Sequence, residues 1–300
     1  MNLQHRVAIV SGGARGIGLA IADELAAQGA AIVIVDPGVS IAGQPEQPML
    51  AEAIVKGKPN WAAVCGDVAD AAVANAAVQI AQSRFGAVDI VVNNAAIIRD
   101  AFIFKCDPAA WDAVLRTNLT GAQRLLGAAT PVMREQVKAG RMPGAIVNMV
   151  STAGIYGNFG QAAYGAAKAG LIGLTRVVAH DLARSAIRCN AVAPFAATRV
   201  TESIQPANEA QAAYKRSALQ VPAGYVARLV CFLAGEAAAG ITGQLFGVRG
   251  REVFIFSQPR PQERVVQPRD GFDTAAIQQL GRHFTDPVTD LEAFSDDPIL

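Results

Sequence analysis

Cysteine and histidine are scarce in this chain, and their scarcity narrows the chemistry that the protein can perform. The 300 residues include three histidines and four cysteines. The cysteines lie far apart, without a second cysteine or a histidine at the spacing of a metal site: Cys65, Cys106, Cys189 and Cys231. Cysteines so dispersed are typical of reduced, buried thiols rather than of a disulfide framework or a zinc site. We therefore expect no bound metal and no histidine-based catalytic triad.

Long apolar runs and an excess of charge of one sign are also missing. The apolar runs are short and interrupted by glycine, proline and polar residues, so the sequence predicts no membrane-spanning segment. The first residues pass into a strand pattern without the features of a secretory signal, which favours a cytoplasmic location. The 26 Lys and Arg and the 25 Asp and Glu residues give a net charge of +1, which argues against nucleic acid or a membrane surface as a partner. A small-molecule substrate is therefore the expected partner.

Short runs rich in valine and isoleucine alternate with alanine-rich helical patterns along the first 250 residues. Seven such runs occur: RVAIVSG, AAIVIVD, WAAVCGD, VDIVVNN, GAIVNMVS, IRCNAVAP and GQLFGV. Almost continuously apolar strands separated by helices are typical of a parallel sheet that is covered on both faces. The sequence therefore predicts an α/β fold: a doubly wound, Rossmann-type sheet of seven parallel strands with helices on both faces, forming one domain over residues 1–250.

Two stretches depart from this alternation. A Pro- and Gly-rich insert, PGVSIAGQPEQP, follows the second strand and predicts irregular structure. Residues 251–300 are rich in proline and polar residues, and their phenylalanines are too irregularly spaced for a core of their own. We expect this C-terminal extension to dock on the main domain or on a neighbouring subunit, with a disordered tail as the alternative.

The first strand runs into a glycine-rich turn, SGGARGIG, at the start of a helix. Gly12, Gly16 and Gly18 permit a tight turn and a close approach of backbone amides to a pyrophosphate, next to the partial positive charge of a helix N-terminus. Asp36 ends the second strand about 20 residues later, where a carboxylate can accept the ribose hydroxyls of NAD and repel the additional phosphate of NADP. Arg15 has the opposite preference, because its guanidinium can hold that phosphate. We give Asp36 more weight, since the strand end fixes its position, and predict NAD as the cofactor.

Two further strand ends carry suitable groups on the same edge of the predicted sheet. Asp67 and Val68 close the third strand, and Asn94, Ala95 and Ala96 follow the fourth. Ligands of doubly wound folds lie beyond the carboxyl ends of the strands, so these residues fall where the adenine and its ribose are expected. For Asp67 taken alone, capping of the next helix is the alternative role.

Tyr164 and Lys168 are four residues apart in a segment made mostly of alanine and glycine, YGNFGQAAYGAAKAG. On a helix this spacing places both side chains on one face. The pKa of tyrosine is ordinarily about 10, and a neighbouring ammonium group favours the phenolate, so we expect the pKa of Tyr164 to be lowered toward neutrality. Tyr164 is then a candidate general base. The alternative for the pair alone is a surface tyrosine beside a solvated lysine, which the surrounding motifs disfavour.

Ser151 and Asn118 complete the set of candidate catalytic residues. Ser151 ends the fifth predicted strand, where its hydroxyl can bond a reacting oxygen or cap a turn. Asn118 lies inside a helical pattern, RTNLTGAQ, although asparagine is a poor helix former. Two roles stay open for Asn118: a place on a solvated polar face, or a position at a helix irregularity that holds a water molecule.

Taken in order, these motifs resemble those of the short-chain dehydrogenase/reductase family over residues 5–250. The resemblance implies hydride transfer between a nicotinamide cofactor and a CH–OH group. It also implies Tyr164 as the acid/base, Ser151 as the donor to the substrate oxygen, Lys168 as a ribose ligand that adjusts the pKa of the phenol, and Asn118 as the residue that places a proton-relay water. The residues expected at the cofactor are Gly12, Arg15, Gly16, Ile17, Gly18, Asp36, Asp67, Val68, Asn94, Ala95, Ala96, Tyr164, Lys168, Pro194 and Thr198.

Within this family, several segments are similar to the (3R)-hydroxyacyl-CoA dehydrogenase module of peroxisomal multifunctional enzyme type 2: AGIYGNFGQAAYGAAK, NNAAIIRD, RCNAVAPFAATRVT and the insert after the second strand. This similarity implies a 3-hydroxyacyl-CoA substrate, with a hydroxysteroid or another bulky secondary alcohol as the alternative. The substrate pocket is expected between Ser151, Tyr156 and Phe195, where Phe195 replaces the glycine of many relatives and adds apolar surface. A catalytically silent nucleotide-binding protein is the alternative outside the enzymes, and the complete set of catalytic residues argues against it.

Two predicted helical segments, residues 111–132 and 162–182, are long, rich in small and apolar residues and sparsely charged. Each is expected to have apolar surface beyond what the sheet covers, and the family resemblance implies that such helices pair across subunits. We therefore expect a homodimer or a homotetramer.

Overall fold

The computed structural model describes residues 2–197, 201–202, 206, 208–261, 263–269 and 274–280. Within these residues the strands form one eight-stranded sheet: β1 Val7–Ser11, β2 Ala31–Val35, β3 Trp61–Val64, β4 Ile90–Asn93, β5 Ala145–Met149, β6 Arg188–Phe195, β7 Leu245–Arg249 and β8 Glu252–Ile255. The α-helices in the same part of the chain are α1 Gly16–Ala27, α2 Leu50–Val55, α3 Ala71–Phe85, α4 Pro108–Leu115, α5 Gly121–Lys138, α6 Ala162–Asp181, α7 Glu209–Ala218, α8 Gly224–Ala234 and α9 Thr274–Gln278.

The strands follow the order β3-β2-β1-β4-β5-β6-β7-β8. Strands β1 to β7 are parallel, which confirms the predicted doubly wound sheet. The sheet has one strand more than the seven predicted, because β8 returns antiparallel along β7. In that pair Phe254 lies opposite Gly247, where any Cβ would collide with its ring. The absent side chain of Gly247 thus makes room for the additional strand.

Alternate residues of the strands pack into two separate hydrophobic cores, one on each face of the sheet. Val10 and Ile34 pack with helices α1 and α8 on one face. Ile9 and Val33, their neighbours along the same strands, pack with α3, α5 and α6 on the other face. Because both faces are covered, every residue of β1 is buried, which explains the continuous apolar runs in the sequence.

The order in which successive strands are added to the sheet changes direction at β1. The chain first proceeds from β1 through β2 to β3, and then returns to place β4 on the opposite side of β1. At such a switch point the loops beyond the carboxyl ends of the two central strands diverge and leave a crevice. The glycine-rich turn, Asp36, Asp67, Asn94 and Ser151 follow the carboxyl ends of β1, β2, β3, β4 and β5 at this edge.

At the opposite edge of the sheet, the buried carboxylate of Asp89 connects several segments of the chain. Asp89 accepts hydrogen bonds from the backbone amide of Val7 at 2.8 Å and from Arg141 Nε at 2.7 Å, and Arg6 Nη1 lies 3.6 Å from it. A depression of about 440 Å³ beside this network is lined by His5 together with both arginines. Since Asp89 already pairs with both guanidinium groups, we assign this cluster a structural role.

The insert between β2 and α2 is irregular, as predicted, apart from one antiparallel bridge between Val39 and Pro45. It packs against the segment after β4: the amide of Ile98 donates to the carbonyl of Ile41 at 2.8 Å, and Arg99 Nε donates to Ala42 at 2.9 Å. No helix in the described residues combines the length and the apolar character that crossing a membrane requires.

Candidate active site

The glycine-rich turn joins β1 to α1 and closes tightly over the end of β4. Gly12 has a φ of 63°, and a Cβ there would lie 2.8 Å from the Cα of Ala95. Gly16 also has a positive φ, 52°, but in the described part of the chain no atom beyond its immediate neighbours lies within 4 Å of its Cβ position. The turn is therefore packed on its inner side and open at Gly16, which fits a pyrophosphate lying against the backbone.

Helix α1 presents its N-terminus at this open side. Arg15 is the N-cap residue, and its side chain makes no capping hydrogen bond. The amides of the first turn, including those of Ile17 and Gly18, thus keep the donor character that suits an anion. Ile17 also packs against the core on the α1 face. The residues present therefore fit the phosphates of a dinucleotide.

Asp36 follows β2 and lies directly beside the turn, with 9% of its surface exposed. Its Oδ2 accepts the amide of Ala14 at 3.1 Å, and its Oδ1 accepts the amide of Gly38 at 2.8 Å. These two bonds fix the carboxylate between the glycine-rich turn and the insert. Arg15, by contrast, is drawn toward the insert, where its Nη1 lies 2.5 Å from Glu46 Oε2.

The end of β4 holds the glycine-rich turn in place. Asn94 Nδ2 donates to the carbonyl oxygens of Ser11 at 3.1 Å and Gly12 at 3.0 Å. The backbone amides of Asn94 and Ala95 in turn donate to Ser11 Oγ at 3.0 and 3.2 Å. Ala96 follows with a partly exposed side chain. Asn94 therefore stabilises the conformation of the turn, a role that was not predicted from the sequence.

The residues after β3 form a short turn of their own. Asp67 Oδ1 accepts the amide of Ala69 at 2.9 Å, and its Oδ2 lies 3.4 Å from Arg116 Nε. The cap of α3 is Asp70 rather than Asp67, so the alternative of helix capping by Asp67 is wrong. Val68 is buried and packs against the start of α5. Asp67 is thus oriented by the turn and by Arg116.

Ser151 and Tyr164 are brought together by close packing of a one-turn 3-10 helix, Thr152–Gly154, on α6. A Cβ on Gly154 would lie 2.6 Å from the amide nitrogen of Ala169, so only glycine allows this approach. Ser151 caps the 3-10 turn, since its Oγ accepts the amide of Ala153 at 3.2 Å. Its hydroxyl also lies close enough to that of Tyr164 to lower the pKa of the phenol. The small residues around Tyr164 thus serve the contact between two hydroxyl groups.

Lys168 lies one turn after Tyr164 on α6, and only 2% of its surface is exposed. Its Nζ donates to the carbonyl of Met149 at 2.7 Å and lies 5.6 Å from the centre of the Tyr164 ring. Burial lowers the pKa of Lys168 to about 8. The two side chains share one helix face, as their spacing indicates, and the alternative of a solvated lysine is contradicted by this burial.

The expected lowering of the pKa of Tyr164 is wrong. The ring keeps some exposed surface, but its hydroxyl is desolvated, and this burial raises the pKa of Tyr164 to about 12. The neighbouring Ser151 hydroxyl opposes this rise, and the charge of Asp100 adds to it. Lys168 does not reverse the direction, because its own ammonium form is disfavoured by burial and its Nζ is directed to Met149.

Asn118 lies in a π-helical turn, Arg116–Thr120, that interrupts the passage from α4 to α5. Its side chain is 1% exposed, which excludes a solvated polar face. The Oδ1 accepts the amide of Ile97 at 2.8 Å, and the Nδ2 donates to the carbonyl of the same residue at 2.9 Å. Asn118 therefore sits at a helix irregularity and fixes the segment that follows β4.

The expected pocket residues lie at the ends of β5 and β6. Tyr156 follows the 3-10 turn, and its ring meets that of Phe256 edge-on at 6.2 Å. Pro194 and Phe195 end β6 and are partly exposed. Phe256, which comes from beyond residue 250, was not assigned to the site from the sequence. Thr198, an expected cofactor residue, lies outside the described residues.

Two contacts near the site have no signal in the sequence. Glu46 pairs with Arg15 across 31 positions, from within an irregular insert. Gln161 Nε2 donates to Asp100 Oδ2 at 3.0 Å and joins the segment after β4 to the start of α6. Both contacts depend on how loops fold toward each other, which neither periodicity nor motif spacing reports.

Comparison with known proteins agrees with this geometry. A family model described as enoyl-(acyl carrier protein) reductase matches residues 12–250. Peroxisomal multifunctional enzyme A of Dictyostelium discoideum is 39% identical over 207 residues, which are 69% of this chain and 46% of that protein. The chain thus spans less than half the length of that relative.

Two bacterial relatives match over most of their own length. The 3-oxoacyl-(acyl-carrier-protein) reductase FabG of Staphylococcus aureus is 38% identical over 255 residues, 81% of this chain and 96% of that protein. Hydroxyacyl-CoA dehydrogenase ChsB1 of Mycobacterium tuberculosis is 35% identical over 266 residues, 88% of this chain and 83% of that protein.

Among solved structures, a short chain dehydrogenase from Mycobacterium avium superimposes with a TM-score of 0.76 and 29% identity, covering 100% of this chain and 98% of that one. The match of the family model extends over most of the chain and begins at the glycine-rich turn. Fold, motifs and similarities lead to one conclusion: the chain belongs to the short-chain dehydrogenase/reductase family of oxidoreductases.

Proposed function

We propose that this protein is an NAD-dependent dehydrogenase that interconverts a secondary alcohol and its ketone, with a 3-hydroxyacyl-CoA as the substrate. The observation that carries the proposal is that the Ser151 and Tyr164 hydroxyls lie next to each other, beside buried Lys168. This group lies at the same sheet edge as the glycine-rich turn and Asp36. One hydroxyl can bind the substrate oxygen while the other exchanges a proton with it.

The pKa values indicate how the proton moves. Tyr164, with a pKa of about 12, is protonated at neutral pH and is suited to donate a proton to a ketone oxygen. When bound, an oxidised nicotinamide accepts the hydride and brings positive charge to this edge. In the oxidising direction Tyr164 must lose its proton, which cations near the phenol favour. Ser151 would donate a hydrogen bond to the substrate oxygen and keep it beside Tyr164.

Two charged groups support NAD over NADP. Asp36 is fixed by two backbone amides at the end of β2, where a carboxylate suits free ribose hydroxyls and repels a phosphate. Arg15, the group that favours NADP, is engaged by Glu46. Both contacts therefore favour Asp36 over Arg15 as the group that determines the choice of cofactor.

The substrate proposal draws on the relatives and on the rim of the site. The names of two relatives specify oxoacyl and hydroxyacyl substrates. Phe102 and Phe104 are exposed, and their rings stack at 5.6 Å directly after the segment that Asn118 fixes. Phe159 is also exposed, and its neighbour Gly160 accepts a hydrogen bond from the amide of Ala101 in this segment. An apolar rim of this kind can cover an acyl chain. It can equally cover a fused ring system, so a hydroxysteroid is the second candidate.

A substrate panel tests the proposal. The protein is mixed with NAD and either 3-hydroxyacyl-CoAs of increasing chain length or hydroxysteroids, and NADH fluorescence is followed. We expect turnover of the acyl-CoAs, and Tyr164→Phe provides the inactive control. Turnover of steroids alone would favour the second candidate. Binding of NADH without turnover of any substrate would indicate a nucleotide-binding protein without this activity.

A further inference from the structure

Glu46 is attached to the same rigid turn that holds Asp36. The amide of Gly38 donates to Asp36 Oδ1 at 2.8 Å, and the carbonyl of Gly38 accepts the amides of Glu46 at 3.2 Å and Gln47 at 2.7 Å. Gly38 has a φ of 66°, and a Cβ there would collide with the carbonyl of Gln47. The position of Glu46 relative to Asp36 is therefore set by backbone bonds rather than by a free loop.

The ion pair with Arg15 is placed to control that guanidinium. Arg15 is 21% exposed and Glu46 47% exposed, and Nη1 and Oε2 are 2.5 Å apart. Arg15 Nη2 is buried and has no hydrogen-bond partner among the described residues. Half-exposed ion pairs contribute little to folding stability. The main effect of the pair is thus to restrain the Arg15 guanidinium with a carboxylate.

We infer that Glu46 is a specificity-determining residue that favours NAD over NADP by acting through Arg15. This inference rests on the proposed function. Glu46 holds the guanidinium in an ion pair, so that Arg15 is not available to a ribose 2′-phosphate. It also adds a second carboxylate to that of Asp36 in the region where the phosphate would lie, and like charges brought together are disfavoured. Arg15 thereby has its charge paired with a carboxylate of the protein rather than with the cofactor.

Binding measurements test this inference without turnover. The dissociation constants of NADPH and NADH are measured by fluorescence titration for the wild type, Glu46→Gln, Arg15→Gln and the double variant. Because Glu46→Gln removes one charge and frees Arg15, it should tighten NADPH binding by roughly tenfold and change NADH binding by less than about twofold. Glu52→Gln, which removes an exposed carboxylate from α2, is the matched control and should change neither constant.

The double variant separates the two parts of the argument. If freed Arg15 is the group that holds the phosphate, Arg15→Gln should cancel most of the gain that Glu46→Gln produces. An unchanged NADPH affinity in Glu46→Gln, or a gain that survives in the double variant, would overturn the inference. A wild-type protein that binds NADPH more tightly than NADH would instead refute the proposed cofactor, so the two failures are distinguishable.

Discussion

Replacement of Lys168 by methionine should stabilise the folded chain at neutral pH while it removes turnover. Lys168 is 2% exposed, and burial lowers its pKa from 10.5 to about 8. Below pH 8 the lysine is charged in both the folded and the unfolded chain, so the folded state bears the full cost of burying an ammonium group. Methionine has a similar shape without the charge, and it relieves that cost.

The magnitude follows from the difference between the two pKa values. Between pH 8 and 10.5 the folded chain has released the proton while the unfolded chain still binds it, so the free energy of unfolding rises with pH over this window. A difference of about 2.5 pKa values corresponds to about 3 kcal/mol. Methionine also leaves the carbonyl of Met149 without its donor, which costs about 1–2 kcal/mol. We therefore expect a net stabilisation of about 1–2 kcal/mol at pH 7.

Urea denaturation at pH 7, 9 and 10.5 measures both effects. Relative to Lys168→Met, the wild type should gain about 3 kcal/mol between pH 7 and 10.5, because only the wild type has the titrating group. Lys56→Met removes an exposed lysine and should show the pH dependence of the wild type. A parallel pH dependence of the wild type and Lys168→Met would refute the reasoning, since it would mean that burial does not disfavour the ammonium form.

Three further predictions concern the reaction, the extension and the assembly. Tyr164→Phe should lose nearly all turnover and keep NADH binding within a few-fold by fluorescence titration, because only a hydroxyl is removed; turnover at the wild-type rate would contradict the assignment. A chain ending at Gly250 loses β8 and Phe256, and should lose activity on bulky substrates or its assembly; unchanged kinetics and light scattering would show a passive extension. Light scattering of the full chain at micromolar concentration should give a dimer or a tetramer, and a monomer would argue against pairing through α4, α5 and α6.

The parallel sheet and the catalytic spacing could be predicted because each leaves a strong local pattern. Strands covered on both faces must be apolar throughout, and the seven runs report this directly. The four-residue spacing of Tyr164 and Lys168 places both side chains on one helix face whatever the details of packing, so their proximity could be predicted. The strand β8 was missed because its four residues alternate between half-buried and exposed positions at the sheet edge, a weak pattern inside a Pro-rich tail.

Properties that depend on contacts between distant segments could not be predicted in the same way. Helical spacing shows that Lys168 is near Tyr164, but it does not show how much water is excluded from the phenol or where Nζ points. The predicted direction of the Tyr164 pKa shift was therefore wrong. The role of Asn118 stayed open for a similar reason, since its partner is the backbone of Ile97, 21 residues away. The pair of Arg15 and Glu46 joins two loops that carry no common periodicity.

The close packing that creates the Ser151–Tyr164 contact also explains why both pKa values move away from what catalysis in the oxidising direction requires. Gly154 allows the 3-10 turn to lie against the backbone of α6, and this approach excludes water from the neighbouring side chains. In a dry environment the neutral forms are favoured, so the pKa of Tyr164 rises while that of Lys168 falls. The same exclusion of water strengthens every charge interaction within the site. A cation that enters beside the phenol will therefore act on its proton more strongly than it would at an exposed tyrosine, and proton release by Tyr164 is expected to depend on cofactor binding.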